Sequence, residues 1–321
     1  MIKAGIIGGA GYTAGELIRL LLYHPEVEIG FVHSQSGAGQ LVSSIHSDLI
    51  GETSLVFTGE VSFEVDVLFF CMGHGKSRAF MEKYSLPNQL KIIDLSHDFR
   101  LKREGNDFVY GLPELQKDAI CESRHIANPG CFATAIQLAL LPLANEKLLK
   151  NELHVHAITG STGAGQQPGD TTHFSWRNNN VSVYKAFRHQ HLGEIRQSLQ
   201  QLQTGFQQAL NFIPLRGSFS RGIFASVYTS TGLAETELKA LFHEYYEQAP
   251  FVFLCEQNPN LKQVVNTNKC LLYLEKHEDK VLIVSVIDNL LKGASGQAVQ
   301  NMNLMFGLEE TSGLQLKAMA F

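Results

Sequence analysis

The chain has 321 residues, more than one core usually holds, with 44% hydrophobic and 18% charged residues and a net charge of −5, the composition of an ordinary globular protein of two domains. No cationic run is longer than Lys102-Arg103, so the basic stripe that neutralises nucleic-acid phosphates is missing. No stretch of about 18 apolar residues is present for a membrane span, and the N-terminus does not read as a signal peptide. Five cysteines, at 71, 121, 131, 255 and 270, are odd in number and lack C-x-x-C spacing, which points to free thiols in a reducing cytoplasm and to neither a disulfide frame nor a metal site.

Ile2 to Ile7 reads as a strand, Gly8-Gly-Ala-Gly-Tyr-Thr-Ala as a turn, and Gly15 to Leu22 as a helix, the opening of a dinucleotide-binding βαβ unit. Gly8 and Gly11 open the backbone to a pyrophosphate at the helix N-terminus; a tight turn with no ligand is the alternative. Further strands are predicted over Val27–His33, Val65–Met72, Leu90–Leu95 and His125–Ala127, with a helix over Lys76–Tyr84. Strands alternating with helices imply a doubly wound parallel sheet with its ligand at the carboxyl ends of the strands. The second strand ends in His33-Ser-Gln-Ser36, and no Asp or Glu occurs between Glu28 and Asp48. An NAD site normally places an acid there on the ribose 2′-hydroxyl. Its absence favours NADP, with Ser34 and Ser36 as candidates for the 2′-phosphate.

Asn128-Pro-Gly-Cys-Phe-Ala-Thr134 precedes an apolar helical run to Leu141. A cysteine in a first helical turn feels the positive end of the dipole and the unpaired N–H groups, which favour the reactive thiolate. A small core cysteine is the alternative reading of Cys131.

From Asn151 onward strands dominate: Leu153–Thr159, Ala209–Leu215, Ile223–Thr231, Lys262–Asn266, Cys270–Lys276 and Val281–Ile287, the last two joined by a hairpin at His277–Lys280. Helices are predicted near Leu192–Leu202 and Glu235–Gln248. This predicts an α+β domain with a mixed or antiparallel sheet. Helical periodicity returns over Ser295–Phe306. The domains are therefore set at 1–148, completed by a C-terminal helical segment 294–321, and at 149–293. The polar stretch Gln166–Asn180 reads as an active-site loop. Among thirteen histidines, His191 stands out because Glu194 lies three residues on and shares its helix face; a solvated helix-end histidine is the alternative.

Together these stretches resemble the N-acetyl-γ-glutamyl-phosphate reductase family of the aspartate-semialdehyde dehydrogenase group. The likeness is carried by Gly8–Leu17, Asp94-Leu-Ser-His-Asp-Phe-Arg100, Tyr110-Gly-Leu-Pro-Glu114, Asn128–Thr134, Gly163-Ala-Gly165, His189-x-His191-x-x-Glu194 and Ile287–Asn301. The chain departs from the family pattern at Ala14, His97, Gln166, Gln190 and Gly193. The resemblance implies that Cys131 attacks an acyl phosphate to give a thioester, that NADPH reduces it, that His191 is the acid/base and that Glu194 orients it. It implies cofactor contacts from Gly8, Gly11, Tyr12, Thr13, Ala14, Ser34, Ser36, Gly163, Asn289 and Gln297. For the substrate it implies Arg100, Asn128, Gln166 and His189. The expected substrate is a small N-acyl-γ-glutamyl phosphate, acetyl or larger such as succinyl, and the expected assembly a homodimer or homotetramer. Open alternatives are a reductase of β-aspartyl phosphate, against which Tyr110–Glu114 argues, one of protein-borne aminoadipyl phosphate, and a non-catalytic NADP sensor. A papain-like hydrolase leaves the glycine turn at residue 8 without a role.

Overall fold

The computed structural model describes residues 1–319. The chain divides into two compact units: unit 1 is Met1–Pro129 with Ala294–Gln315, and unit 2 is Gly130–Gly293 with the segment from Leu316 onward. Unit 1 is a seven-stranded sheet of β1 (Ile2–Ile7), β2 (Val27–His33), β3 (Phe57–Thr58), β4 (Val67–Phe70), β5 (Lys91–Asp94), β6 (Val109–Tyr110) and β7 (His125–Ala127), in the order β3-β2-β1-β4-β5-β7-β6. Every pairing in it is parallel. Its helices are α1 (Tyr12–Leu22), α2 (Lys76–Lys83) and α3 (Pro113–Glu122). The doubly wound order puts its switch point between β1 and β4, whose carboxyl ends carry the Gly8 turn and Cys71, where such sheets bind ligands.

Unit 2 opens with α4 (Cys131–Asn145), buried continuously from Phe132 to Ala144. A helix apolar on all sides belongs inside a core, and α4 lies against other elements of its unit. They are α6 (His191–Leu202), β11 (Ile223–Ser230) and β14 (Lys280–Ile287). The sheet adds β8 (Leu153–Thr159), β9 (Ser182–Val183), β10 (Leu210–Arg216), β12 (Val252–Leu254) and β13 (Cys270–His277), in the order β12-β13-β14-β11-β8-β10-β9. It is mixed, because β8–β10 and β12–β13 run parallel while β11–β14, β11–β8, β13–β14 and β10–β9 run antiparallel. The remaining helices of unit 2 are α5 (Phe174–Arg177) and α7 (Glu235–Tyr246). The chain then returns to unit 1 with α8 (Ser295–Met305), which packs on α1 and α3.

Three differences from the sequence reading have physical causes, and a fourth is an added helix. The boundary falls at Pro129/Gly130 and not at 148/149, because α4 buries its whole circumference among elements of unit 2. The predicted strand 262–266 is a single helical turn, Leu261–Gln263: Asn260 Oδ1 accepts from Lys262 N at 3.0 Å and Gln263 Oε1 from Asn260 N at 2.8 Å. That reciprocal capping satisfies the backbone locally and outcompetes a ladder. In the segment 294–321 the helix stops at Met305, followed by Gly307 at φ +66°, a left-handed stop that glycine allows; positions 320 and 321 lie outside the described residues. Last, α3 was unforeseen and is kinked at Gln116 (φ −157°).

Candidate active site

In unit 2, Cys131 is the first residue of α4, and Gly130 caps it in an extended conformation (φ −73°, ψ 149°). Thr134 N donates to the Gly130 carbonyl at 2.8 Å, closing the first turn. The early N–H groups of such a turn have no intrahelical acceptor. Gly293 makes room for the thiol: a Cβ there would stand 2.8 Å from Cys131 Cβ and 2.7 Å from the Asn289 carbonyl.

Glu194 links this turn to α6. Its Oε2 accepts from Gly130 N at 2.9 Å, and its Oε1 lies 3.8 Å from His191 Nε2. The carboxylate is 3% exposed, so its field at the imidazole is weakly screened. His191 is buried, and its backbone N donates to His189 Nδ1 at 3.3 Å. His189 sits edge-on to Phe132, Tyr184 and Phe212, and its ring centroid is 4.6 Å from that of His191. Burial first, then the charges of His191 and Lys185, push His189 down to about 3, so it is neutral at physiological pH. The other thiols are differently placed. Cys71 is pushed up to about 12 by burial and by the Asp94 charge, Cys255 is raised by burial, Cys270 is buried and Cys121 is exposed.

The loop after β8 is held by Asn289, whose Oδ1 accepts from Gly222 N at 2.7 Å and whose Nδ2 donates to Thr162 Oγ1 at 3.0 Å. Gly163 lies in the helical turn Ser161–Ala164, and Gln166 is exposed just beyond it. Arg221 pairs with Asp288 at 2.9 Å. Sequence reading missed Tyr184 and Arg216, which stand beside His189: the Arg216 guanidinium is 4.4 Å from the Tyr184 ring centroid. A tyrosine and an arginine 32 positions apart with no motif around them offer no sequence signal.

In unit 1, Gly8 has φ +85°, and a Cβ there would be 2.9 Å from the Cys71 backbone, so only glycine lets the turn pass that strand end. Gly11 caps α1, and nothing lies within 4 Å of where its Cβ would be. Space is therefore open at Gly11, beside a helix start whose first N–H groups have no intrahelical acceptor, the geometry that receives a pyrophosphate. Tyr12 is exposed there, Thr13 bonds Cys71 through its side chain and its carbonyl accepts from Ser295 Oγ at 2.7 Å, and Ala14 is buried. Ser36 is exposed, but Ser34 is buried and its Oγ accepts from Gly37 N at 3.2 Å. Ser34 thus shapes the turn, and its hydroxyl keeps only one hydrogen to offer outward.

Arg100 is buried and donates Nε to the Asn128 carbonyl at 2.8 Å and Nη2 to the Leu95 carbonyl at 2.9 Å. Both carbonyls fix the position of the guanidinium, whose charge also acts on the buried Asp94 carboxylate. Nearby, Asp98 accepts from Gly75 N, at 2.7 Å, and from Arg78 N. Asn128 gives Nδ2 to the Ala294 carbonyl at 3.0 Å and accepts at Oδ1 from Asn301 at 3.1 Å. Gln297 is buried and donates to the Gly111 carbonyl at 3.2 Å, while its Oε1 is buried without a hydrogen-bond partner.

Family models for the semialdehyde dehydrogenase NAD binding domain and for the semialdehyde dehydrogenase dimerisation domain match residues 3–123 and 131–289. Among curated proteins, the chain is 60% identical to the N-acetyl-gamma-glutamyl-phosphate reductase of Parabacteroides distasonis, over 100% of both chains. It is 61% identical to that of Bacteroides thetaiotaomicron and 58% to that of Flavobacterium johnsoniae, again over 100% of both. Among solved structures, aspartate semialdehyde dehydrogenase II of Vibrio cholerae, complexed with ASA, superposes with TM-score 0.73 at 18% identity, covering 96% of this chain and 98% of that one. The aspartate semialdehyde dehydrogenase of Candida albicans, with NADP, superposes with TM-score 0.71 at 15% identity over 95% and 98%. At these identities the two structures share the fold.

Proposed function

We infer the reaction from one premise: the chain belongs to the N-acetyl-γ-glutamyl-phosphate reductase family, within the semialdehyde dehydrogenases. It is an oxidoreductase that reduces an N-acyl-γ-glutamyl phosphate to the N-acyl-glutamate semialdehyde and phosphate, a step of arginine biosynthesis. The observation that carries our assignment of residues is the Glu194 carboxylate, which holds the Cys131 turn through Gly130 N and stands 3.8 Å from His191 Nε2.

Cys131 Sγ attacks the γ-carbonyl; the S–C bond forms as the C–O bond to phosphate breaks, and phosphate leaves with the electron pair. The first-turn N–H groups of α4 receive the developing oxyanion. When bound, the nicotinamide supplies the hydride that brings the thioester to the aldehyde level. Cys131 then leaves as thiolate, because a thiolate is both a good nucleophile and a good leaving group. His191 holds the proton at the collapsing alkoxide, and Glu194 orients it. Arg100 clamps the phosphate or a substrate carboxylate, Asn128 orders the turn before Pro129, and Gln166 and His189 line the substrate. The residues of unit 1 fit a dinucleotide: the pyrophosphate would take the α1 N-terminus behind Gly8 and Gly11, with Tyr12, Thr13 and Ala14 flanking it. Gly163 would contact the nicotinamide end.

NADP is the preferred cofactor on this reading, supported by the acid-free end of β2, with Ser36 the more accessible partner for the 2′-phosphate. The enzyme assembles as a homodimer or homotetramer, supported by the match of unit 2 to a dimerisation domain. Its site is the cytoplasm, in keeping with five free cysteines. Phosphate-dependent NADP reduction with N-acetyl-, N-succinyl-glutamate and aspartate semialdehydes tests the assignment. Turnover of aspartate semialdehyde alone would overturn the substrate.

A further inference from the structure

Unit 2 holds two arginines for which the chemistry above has no use. Arg177, the last residue of α5, is 7% exposed. Its Nη2 donates to the Thr171 carbonyl at 3.0 Å, its Nη1 approaches the Gly217 carbonyl at 3.4 Å, and its guanidinium lies 5.2 Å from the Trp176 ring centroid. Its Nε is buried with no hydrogen-bond partner. Arg216, at the end of β10, reaches the same loop and donates Nη1 to Thr171 Oγ1.

Two guanidiniums therefore converge on Thr171. Burial first, and Arg216 second, disfavour the charged form of Arg177, and no carboxylate is among the groups that act on it. An unpaired buried cation is costly, and a second cation beside it adds to the cost. A protein keeps such a pair where an anion completes it. The position of the pair says which anion. The Tyr184 ring lies under Arg216, Tyr184 is edge-on to His189 at 5.7 Å, and His189 is 4.6 Å from His191. Tyr184 also feels the Cys131 charge. The arginines thus stand at the far end of a row of rings that begins at the acid/base.

We propose that Arg177 and Arg216 form a carboxylate subsite that grips the substrate at the end remote from its acyl phosphate and so sets which N-acyl-glutamyl compounds are accepted. The proposal rests on the reaction assigned above. The carboxylate is either the α-carboxylate of the glutamyl unit or a second one on a dicarboxylic N-acyl group. The chemistry recognised is the same, and substrates separate the two sources.

The test measures KM with purified full-length Arg216→Met and Arg177→Met, using N-acetyl- and N-succinyl-glutamate semialdehyde with phosphate and NADP. Loss of a charge-assisted contact raises KM about 10- to 100-fold. An equal rise for both substrates identifies the α-carboxylate, and a rise confined to the succinyl compound identifies the acyl carboxylate. Arg216→Lys, which keeps the charge, recovers part of the loss. Unchanged KM for both semialdehydes overturns the proposal, as does a rise only in KM for phosphate. N-acetyl- and N-succinyl-glutamate should also raise the melting temperature of the wild type and do so less in Arg216→Met. This readout is independent of turnover: if it holds where no turnover is seen, the subsite stands and the reaction falls, and turnover with unaltered KM reports the reverse. Should Arg177→Met fail to fold, the partly exposed Arg216 carries the test alone.

Discussion

Replacing Glu194 by Gln removes one charge and almost no volume, and it separates the two duties of this side chain. The amide oxygen can still accept from Gly130 N, now 2.9 Å from Oε2, but the negative charge 3.8 Å from His191 Nε2 is gone. At that distance, and with an effective dielectric constant of about 20, the Coulomb attraction to an imidazolium is about 4 kcal/mol. Reorientation of the amide dipole and of neighbouring groups returns part of it, leaving about 1.4–2.7 kcal/mol, or a fall in kcat of about 10- to 100-fold. Glu194→Ala loses the acceptor as well. It leaves the buried Gly130 N–H unsatisfied at a further cost of about 1–3 kcal/mol in stability. The assay is kcat in phosphate-dependent NADP reduction, with a melting curve for each variant. The expected pattern is low kcat in both variants and a lowered melting temperature in Ala alone. Normal kcat in Gln together with an unstable Ala variant would refute the electrostatic role and leave Glu194 a helix cap.

Cys131→Ser should abolish turnover, since no thioester of matching reactivity forms, and His191→Asn should lower kcat by roughly 10²–10⁴-fold with cofactor binding intact; substantial activity in the serine variant would reject the covalent route. Brief iodoacetamide treatment followed by peptide mapping should label Cys131 first and spare Cys71, whose thiol is pushed up to about 12; labelling of Cys71 with activity lost in step would reverse the assignment. The kcat/KM for NADP should exceed that for NAD by roughly tenfold or more, the worth of a hydrogen-bonded 2′-phosphate, and equal values would remove Ser36 from the site. His189, at about 3 in the folded chain, binds its proton less readily than when unfolded, so the stability it contributes is present above about 6.5 and is lost as pH falls toward 3. The melting temperature should drop over that window, and less steeply in His189→Gln; parallel curves would show that other groups govern the acid limb.

The parts legible in the sequence were those whose pattern is local. The strand Ile2–Ile7 with its glycine turn, the apolar run of α4, and the hairpin between β13 and β14 follow from periodicity and turn chemistry alone. The two-residue strands β3, β6 and β9 exist because a neighbouring strand pairs with them, information that lies elsewhere in the chain. Within the site, Cys131 at N1 and the His191–Glu194 spacing were readable because helix geometry fixes both. The hydrogen bond from Gly130 N to Glu194 spans 64 positions, and the meeting of Arg177 and Arg216 at Thr171 needs β10 folded against the 170s loop. No spacing rule reaches that far. The bond from Gln297 to the Gly111 carbonyl spans 186 positions and is out of reach for the same reason.

The most direct measurement is intact-mass spectrometry of the wild type mixed with N-acetyl-γ-glutamyl phosphate in the absence of NADPH, followed by peptide mapping. The account predicts one acyl group per chain, on the peptide that contains Cys131, released as one equivalent of aldehyde when NADPH is added and absent from Cys131→Ser. An enzyme that turns over but carries no acyl group, or carries it on another residue, would contradict it.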